Sequence, residues 1–177
     1  MNLSLINLEI AIALLGVGVL LMDLWLPPEQ RRQLGYLAAI GVALVFVSSF
    51  VWPPLQLKFS IGALTLQHVQ IGFGNGFVMD LLALFFKRFF LLATVFVLLM
   101  AVEFADRFKT GVAEYFSLVL FALLGMMLAA SAFDFVMLFV SIELITVTFY
   151  VLTSFQRHRL ASLEAGVKYL ILGAVAS

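Results

Sequence analysis

The chain has 177 residues, 64% of them hydrophobic and 11% charged, with a mean hydropathy of +1.18. Soluble domains carry about 25% charged and about 45–50% apolar residues, so this composition belongs to a polytopic membrane protein. Ten basic residues balance ten acidic ones, which leaves no global field to attract nucleic acid, and the lack of cysteine excludes disulfides, thiolate metal sites and cysteine-ligated iron–sulfur clusters.

A helix needs about 20 apolar residues to cross a hydrocarbon core of about 30 Å. The N-terminus, MNLSLINLEIAIALLG, has neither a basic leader nor a small-residue cleavage site, and predicts a retained first span over 3–26, ended by Pro27 and Pro28. A second span covers 34–52 and ends at Pro53 and Pro54. Segment 53–76 alternates apolar and polar residues, which predicts a short hairpin lying on the membrane face. Its glycine-rich end, GFGNGF, is a poor phosphate loop, because no strand is expected before it and a span is expected after it. Further spans are predicted over 77–104, 115–132 and 135–155. A sixth starts near Ser162, and its apolar part, 167–177, is too short to cross, so the chain reads as a fragment of a longer protein. The predicted fold is an all-α polytopic transmembrane helical bundle of five full spans and the start of a sixth.

Basic residues set the orientation. With the N-terminus outside, Arg31, Arg32, Arg107, Lys109, Arg157 and Arg159 fall in the inside connections, against Lys58 alone outside. The multi-pass chain is therefore expected in a cell inner (plasma) membrane with the 156–161 loop cytoplasmic.

Charges inside the spans carry the functional argument. Glu143 lies within the fifth span, roughly 20 Å from its cytoplasmic end at 1.5 Å per residue. An acid at that depth needs a partner, a proton or a water-filled cavity, and is functional by default. Burial favours the neutral form of a carboxylic acid and a nearby ammonium favours the ionised form, so a Glu between the two can load and release a proton. Lys168 enters the sixth span about 9 Å from its cytoplasmic end, one helical turn after Glu164. It reads equally as a functional base or as a snorkelling Lys paired with Glu164. Thr146, Thr148 and Tyr150 offer hydroxyls beside Glu143, for a proton path or, more simply, for interhelical hydrogen bonds.

Lys87 and Arg88 fall inside the third span, about 100° apart around the helix, so one acid cannot easily serve both. Asp80, two turns before Lys87, and Glu9 in the first span are the candidate partners in a static pair that locks helices. Asp23, Glu103 and Asp106 are expected at the interface, and Asp134 as the N-cap of the fifth span. His68 and His158 are far apart with no second ligand at metal spacing, so no metal site is assigned. No nucleophile–His arrangement or glycosidase-like carboxylate pair is evident.

Residues 114–177, with LFVSIEL, FYVL and SLEAGVKYLILGAVAS as their most specific parts, resemble the subunit N family of proton-pumping NADH:quinone oxidoreductase, respiratory complex I. FVMDLLALFFKRFFLLA, residues 77–93, also resembles the third span of that family, while residues 1–76 match in span spacing only. The resemblance implies an antiporter-like subunit with two inverted repeats, each with a broken helix. Residues 1–113 would be the N-terminal helices with the outer loop 53–76, and 114–177 the start of the proton-translocating repeat.

In that family the motif Glu of the fifth helix falls on Glu143 and the Lys of the sixth on Lys168, while a further Lys on the seventh would lie beyond Ser177. Two departures stand out: Phe133 replaces a polar residue before Asp134, and Thr146 replaces a Ser after the motif Glu. The implied function is proton translocation coupled to quinone reduction, as part of an oxidoreductase with no redox chemistry on this chain. FMN, iron–sulfur clusters and quinone would belong to partner subunits. The expected partners are other membrane subunits and the lipid bilayer. Two alternatives remain: a subunit of a multi-subunit Mrp-type cation/proton antiporter, and a non-catalytic membrane assembly subunit.

Overall fold

Six helices and one short hairpin make up the described residues of the computed structural model, which are 3–26, 32–51, 70–72, 76–104, 111–156 and 159–176. A 3-10 turn over Leu3–Ile6 leads into α1, Asn7–Asp23. Helix α2 is Arg32–Val51. Strands β1, Gln70–Gly72, and β2, Phe77–Met79, pair antiparallel with Ile71 opposite Val78. Then follow α3, Leu81–Phe104; α4, Val112–Ala130; α5, Phe135–Thr153; and α6, Leu160–Ala176. Helices α2 to α5 are each long and apolar enough to cross a membrane. Helix α1 has 17 residues, about 25 Å at 1.5 Å per residue, and follows directly on the 3-10 turn. Helix α6 also has 17 residues.

The start of the third span differs from the sequence expectation. Phe77, Val78 and Met79 are strand, and the helix begins at Leu81. A continuous apolar run does not distinguish a buried strand from a helix start. Asp80 decides it here, because its Oδ1 accepts the backbone N–H of Ala83 at 2.7 Å and caps α3. The hairpin expected over 53–76 falls mostly outside the described residues; within them, β1 lies inside that segment and pairs with β2 beyond it. GFGNGF contains the connection between them, so a strand does precede it, and another strand follows. Residues 52–69 and 73–75 are outside the described set, as are His68, His158, Lys58, Arg107 and Lys109.

Helix α4 is the centre of the bundle, packed against α1, α2, α3 and α5. Its buried face carries Phe116, Leu120, Leu123 and Met127, which meet Ile12 and Val19 of α1 and Leu91 and Leu98 of α3 in one cluster. Lipid tails are as apolar as leucine, so helices associate in a bilayer through close packing and interhelical hydrogen bonds. Both occur here. Ser117 Oγ donates to the Gly16 carbonyl at 2.9 Å, joining α4 to α1. A Cβ on Gly125 would lie 2.7 Å from Ile145 Cγ1 and 3.1 Å from the Ser141 carbonyl oxygen, so α4 approaches α5 backbone to side chain at that point. Gly111, immediately before α4, has φ +83°, a left-handed conformation that glycine adopts at no steric cost. The outward faces are apolar, with Leu44, Phe85, Phe96 and Phe139 all exposed.

Helix α6 touches only one other helix of the described set to any extent, α5. Ser162 Oγ donates to the Thr153 carbonyl at 2.9 Å, where the two helices turn back on each other. The ring of Tyr150 packs edge-on against Tyr169, 4.9 Å between centroids. Its hydroxyl lies over Gly173, and Ser154 lies over Gly166, leaving no room for a side chain at either glycine.

Candidate functional site

Glu143 is held on α5, whose start is set by three contacts. Asp134 caps the helix, its Oδ1 accepting from Met137 N at 2.7 Å, as the sequence predicts. Strand β2 docks on the α4–α5 turn, with Val78 N–H donating to Ser131 O and Phe133 N–H donating to Gly76 O, both at 2.9 Å. Phe77 pairs across to Ala132. From this fixed start Glu143 lies about 12 Å along α5, with about 15 Å remaining to Thr153, so it is near mid-helix. Its side chain is half-buried and has no ion-pair partner among the described residues.

The hydroxyls on its helix serve α5 itself. Thr146 Oγ1 donates to the Glu143 carbonyl at 3.0 Å and Thr148 Oγ1 to the Leu144 carbonyl at 2.6 Å. These are back-bonds within one helix, the common fate of Thr in a helix that lacks water, and not the interhelical bonds expected for them. Tyr150 does reach across, to Tyr169 and Gly173 of α6. Tyr169 was not foreseen as part of this contact. The heptad spacing of Gly166 and Gly173 was the available signal for the face it shares.

Lys168 pairs with Glu164, Nζ to Oε1 at 2.5 Å, and both side chains are largely exposed, 69% and 65%. Lys168 and Glu143 are not brought together. Measured from the Ser154–Gly166 contact at 1.5 Å per residue, Lys168 is about 3 Å and Glu143 about 16 Å farther along. That leaves roughly 13 Å between their levels, and no ion pair among the described residues joins them. A proton passing between them would need intervening water.

The charges of α3 separate as the 100° rule requires. Lys87 Nζ meets Glu9 Oε1 at 2.6 Å, and the two side chains are 0% and 2% exposed. The same ammonium is 3.5 Å from Met79 Sδ and 4.8 Å from the centre of the Phe77 ring. The partner of Lys87 is thus Glu9, and Asp80, the other candidate, is instead the cap of α3. Arg88 turns to α2: Nη2 donates to the Ser49 carbonyl at 2.8 Å, and the guanidinium lies 4.2 Å over Phe50. That carbonyl is in the last turn of α2, where unpaired acceptors and the helix dipole both favour a cation. Among the described residues no group of three or more His, Asp or Glu is placed to hold a metal ion.

Residues 132–177, which include Glu143 and Lys168, match the family model described as NADH:quinone oxidoreductase/Mrp antiporter, transmembrane. Subunit N of NADH-quinone oxidoreductase from Heliobacterium modesticaldum is 38% identical over 181 residues, covering 100% of this chain and 35% of the relative. The subunit of the same name from Moorella thermoacetica is 34% identical over 176 residues, covering 99% of this chain and 34% of the relative. A solved structure of respiratory complex I from Thermus thermophilus, with bound aureothin, matches with a TM-score of 0.67 and 25% identity, over 96% of this chain and 33% of that one. The chain spans about a third of the length of the curated relatives it matches.

Proposed function

We propose that this chain, which resembles NADH-quinone oxidoreductase subunit N along its whole length, contributes to proton translocation coupled to quinone reduction in an inner membrane. Glu143 carries the proposal. It is a carboxyl group near the middle of a membrane helix, half-buried, and without an ion-pair partner among the described residues. Glu9, by contrast, is matched by Lys87 at 2.6 Å and sealed from its surroundings. Glu143 has no such anchor. Water or a cation can therefore reach it, and changes in its surroundings drive proton uptake and release.

In this reading Lys168, held by Glu164, is a second station rather than a direct partner, and water carries the proton over the distance between their levels. The N-terminus lies outside, and the connection between α5 and α6 is cytoplasmic. Other membrane subunits surround the chain, and flavin, iron–sulfur and quinone chemistry takes place on partner subunits. In the assembled complex, Glu143→Ala is expected to abolish proton translocation while leaving assembly intact, measured as acidification of inverted membrane vesicles. Normal pumping by an assembled Glu143→Ala complex would overturn the proposal.

The family description spans Mrp antiporters as well, so gradient-driven cation/proton exchange is the second reading. It predicts exchange in vesicles that receive no reducing substrate.

A further inference from the structure

The Glu9–Lys87 pair is the most deeply buried charge in the described residues, and the proton path proposed above does not use it. It joins α1 to the distant unit formed by β2 and α3, which follow each other in the chain. Glu9 belongs to α1, Lys87 to α3, and the groups around the ammonium, Met79 Sδ and the Phe77 ring, to β2. Strand β2 is also the strand that docks on the α4–α5 turn, through Val78 to Ser131, Gly76 to Phe133 and Phe77 to Ala132. Beneath it Leu5, Phe77 and Met79 form a separate buried cluster, with Met137 from the first turn of α5 packed against it. A continuous run of contacts therefore leads from the ion pair, through two residues of the strand, to the start of the helix that carries Glu143.

Strand β2 is three residues long, and a two-stranded hairpin alone is marginal. Something must fasten it. The Lys87 ammonium does so with three groups at once: a carboxylate, a thioether and an aromatic face. Glu9 Oε2 has no hydrogen-bond partner among the described residues, so Lys87 is what compensates that carboxylate.

We infer that Glu9 and Lys87 are positioning residues: they clamp β2 to α1 and α3, and through β2 they fix the start of α5 and hence the level of Glu143. The inference rests on the proton-carrying reading of Glu143, and its test has a readout that does not.

The test uses the assembled complex in membranes. Met137→Cys places a thiol under the strand, and its rate of reaction with a small maleimide reports whether β2 stays down. Protons translocated per electron are measured in matched membranes that lack the cysteine. The variant of choice is the double Glu9→Gln/Lys87→Met, which removes the clamp and leaves no unpaired buried charge. We expect labelling at least tenfold faster than in the parent, and at least a twofold fall in protons per electron while quinone reduction continues. Lys87→Arg, which keeps a cation opposite Glu9, should restore the parental ratio. Parental labelling and an unchanged ratio in the double variant would overturn the inference, as would faster labelling with an unchanged ratio. A proportional loss of quinone reduction and pumping would also overturn it, since that is general damage. Glu143→Ala run in parallel separates the two claims: if it pumps normally, the reading of Glu143 fails, and the labelling rate still decides whether the pair clamps the strand.

Discussion

The two acids that matter most, Glu9 and Glu143, differ in what surrounds them. Glu9 is sealed against Lys87 at 2.6 Å, whereas Glu143 is half-buried with no ion-pair partner among the described residues. Removing one member of a buried pair strands the other, and typically costs about 3–5 kcal/mol. Lys87→Met alone should therefore sharply lower the amount of assembled complex, measured by native gel. Adding Glu9→Gln should recover most of it, because the stranded charge is gone. Asp134 works by a smaller, local effect. Its carboxylate caps α5 at Met137 N, so Asp134→Ala should cost about 1 kcal/mol and Asp134→Asn much less, read as a shift in the thermal midpoint of the complex. Both predictions concern stability and neither requires Glu143 to move a proton.

Helix spacing is set by the smallest residues. At Gly125 a side chain would meet Ile145 and the backbone carbonyl of Ser141, and the backbone cannot give way. Gly125→Val should push α5 off α4 at a cost of about 1–3 kcal/mol, seen as loss of assembled complex. Gly173→Ala should collide with the Tyr150 hydroxyl, and Tyr150→Leu in the same chain should relieve it. Recovery by that second substitution, read as assembled complex, checks that the α5–α6 contact runs through this pair. At this scale the sequence was partly legible. Asp134 followed by an apolar run announced a cap, and the structure has one. Asp80 carried the same signal before α3 but was read as a charge for Lys87, because the apolar run from Phe77 onward looked like uninterrupted helix. Short strands and helix starts share that apolar pattern, and only pairing with Gln70–Gly72 separates them.

Across the whole molecule, hydropathy was enough to place helices, since a bilayer demands long apolar segments with their backbone groups satisfied internally. The cores of the second to fifth spans were found that way, with ends shifted by a few residues. Register between helices was legible only in outline. Counting residues from the cytoplasmic ends put Glu143 roughly 20 Å and Lys168 about 9 Å deep, and the contact of Ser154 with Gly166 keeps a similar offset of roughly 13 Å at 1.5 Å per residue. Which small residues meet to set that offset is something hydropathy does not encode. The pairing of Lys87 with Glu9 was within reach as one of two options, because a buried Lys needs an acid and α1 carries one in its first turn. The central claim is that Glu143 carries a proton, and two variants in the assembled complex, one without and one with an ionisable carboxyl, test it most directly. Protons translocated per electron are compared for Glu143→Gln and Glu143→Asp. The account predicts at least a tenfold loss for Gln, which cannot be protonated at neutral pH, and substantial retention for Asp, which can. Equal pumping by Gln and the parent would contradict it.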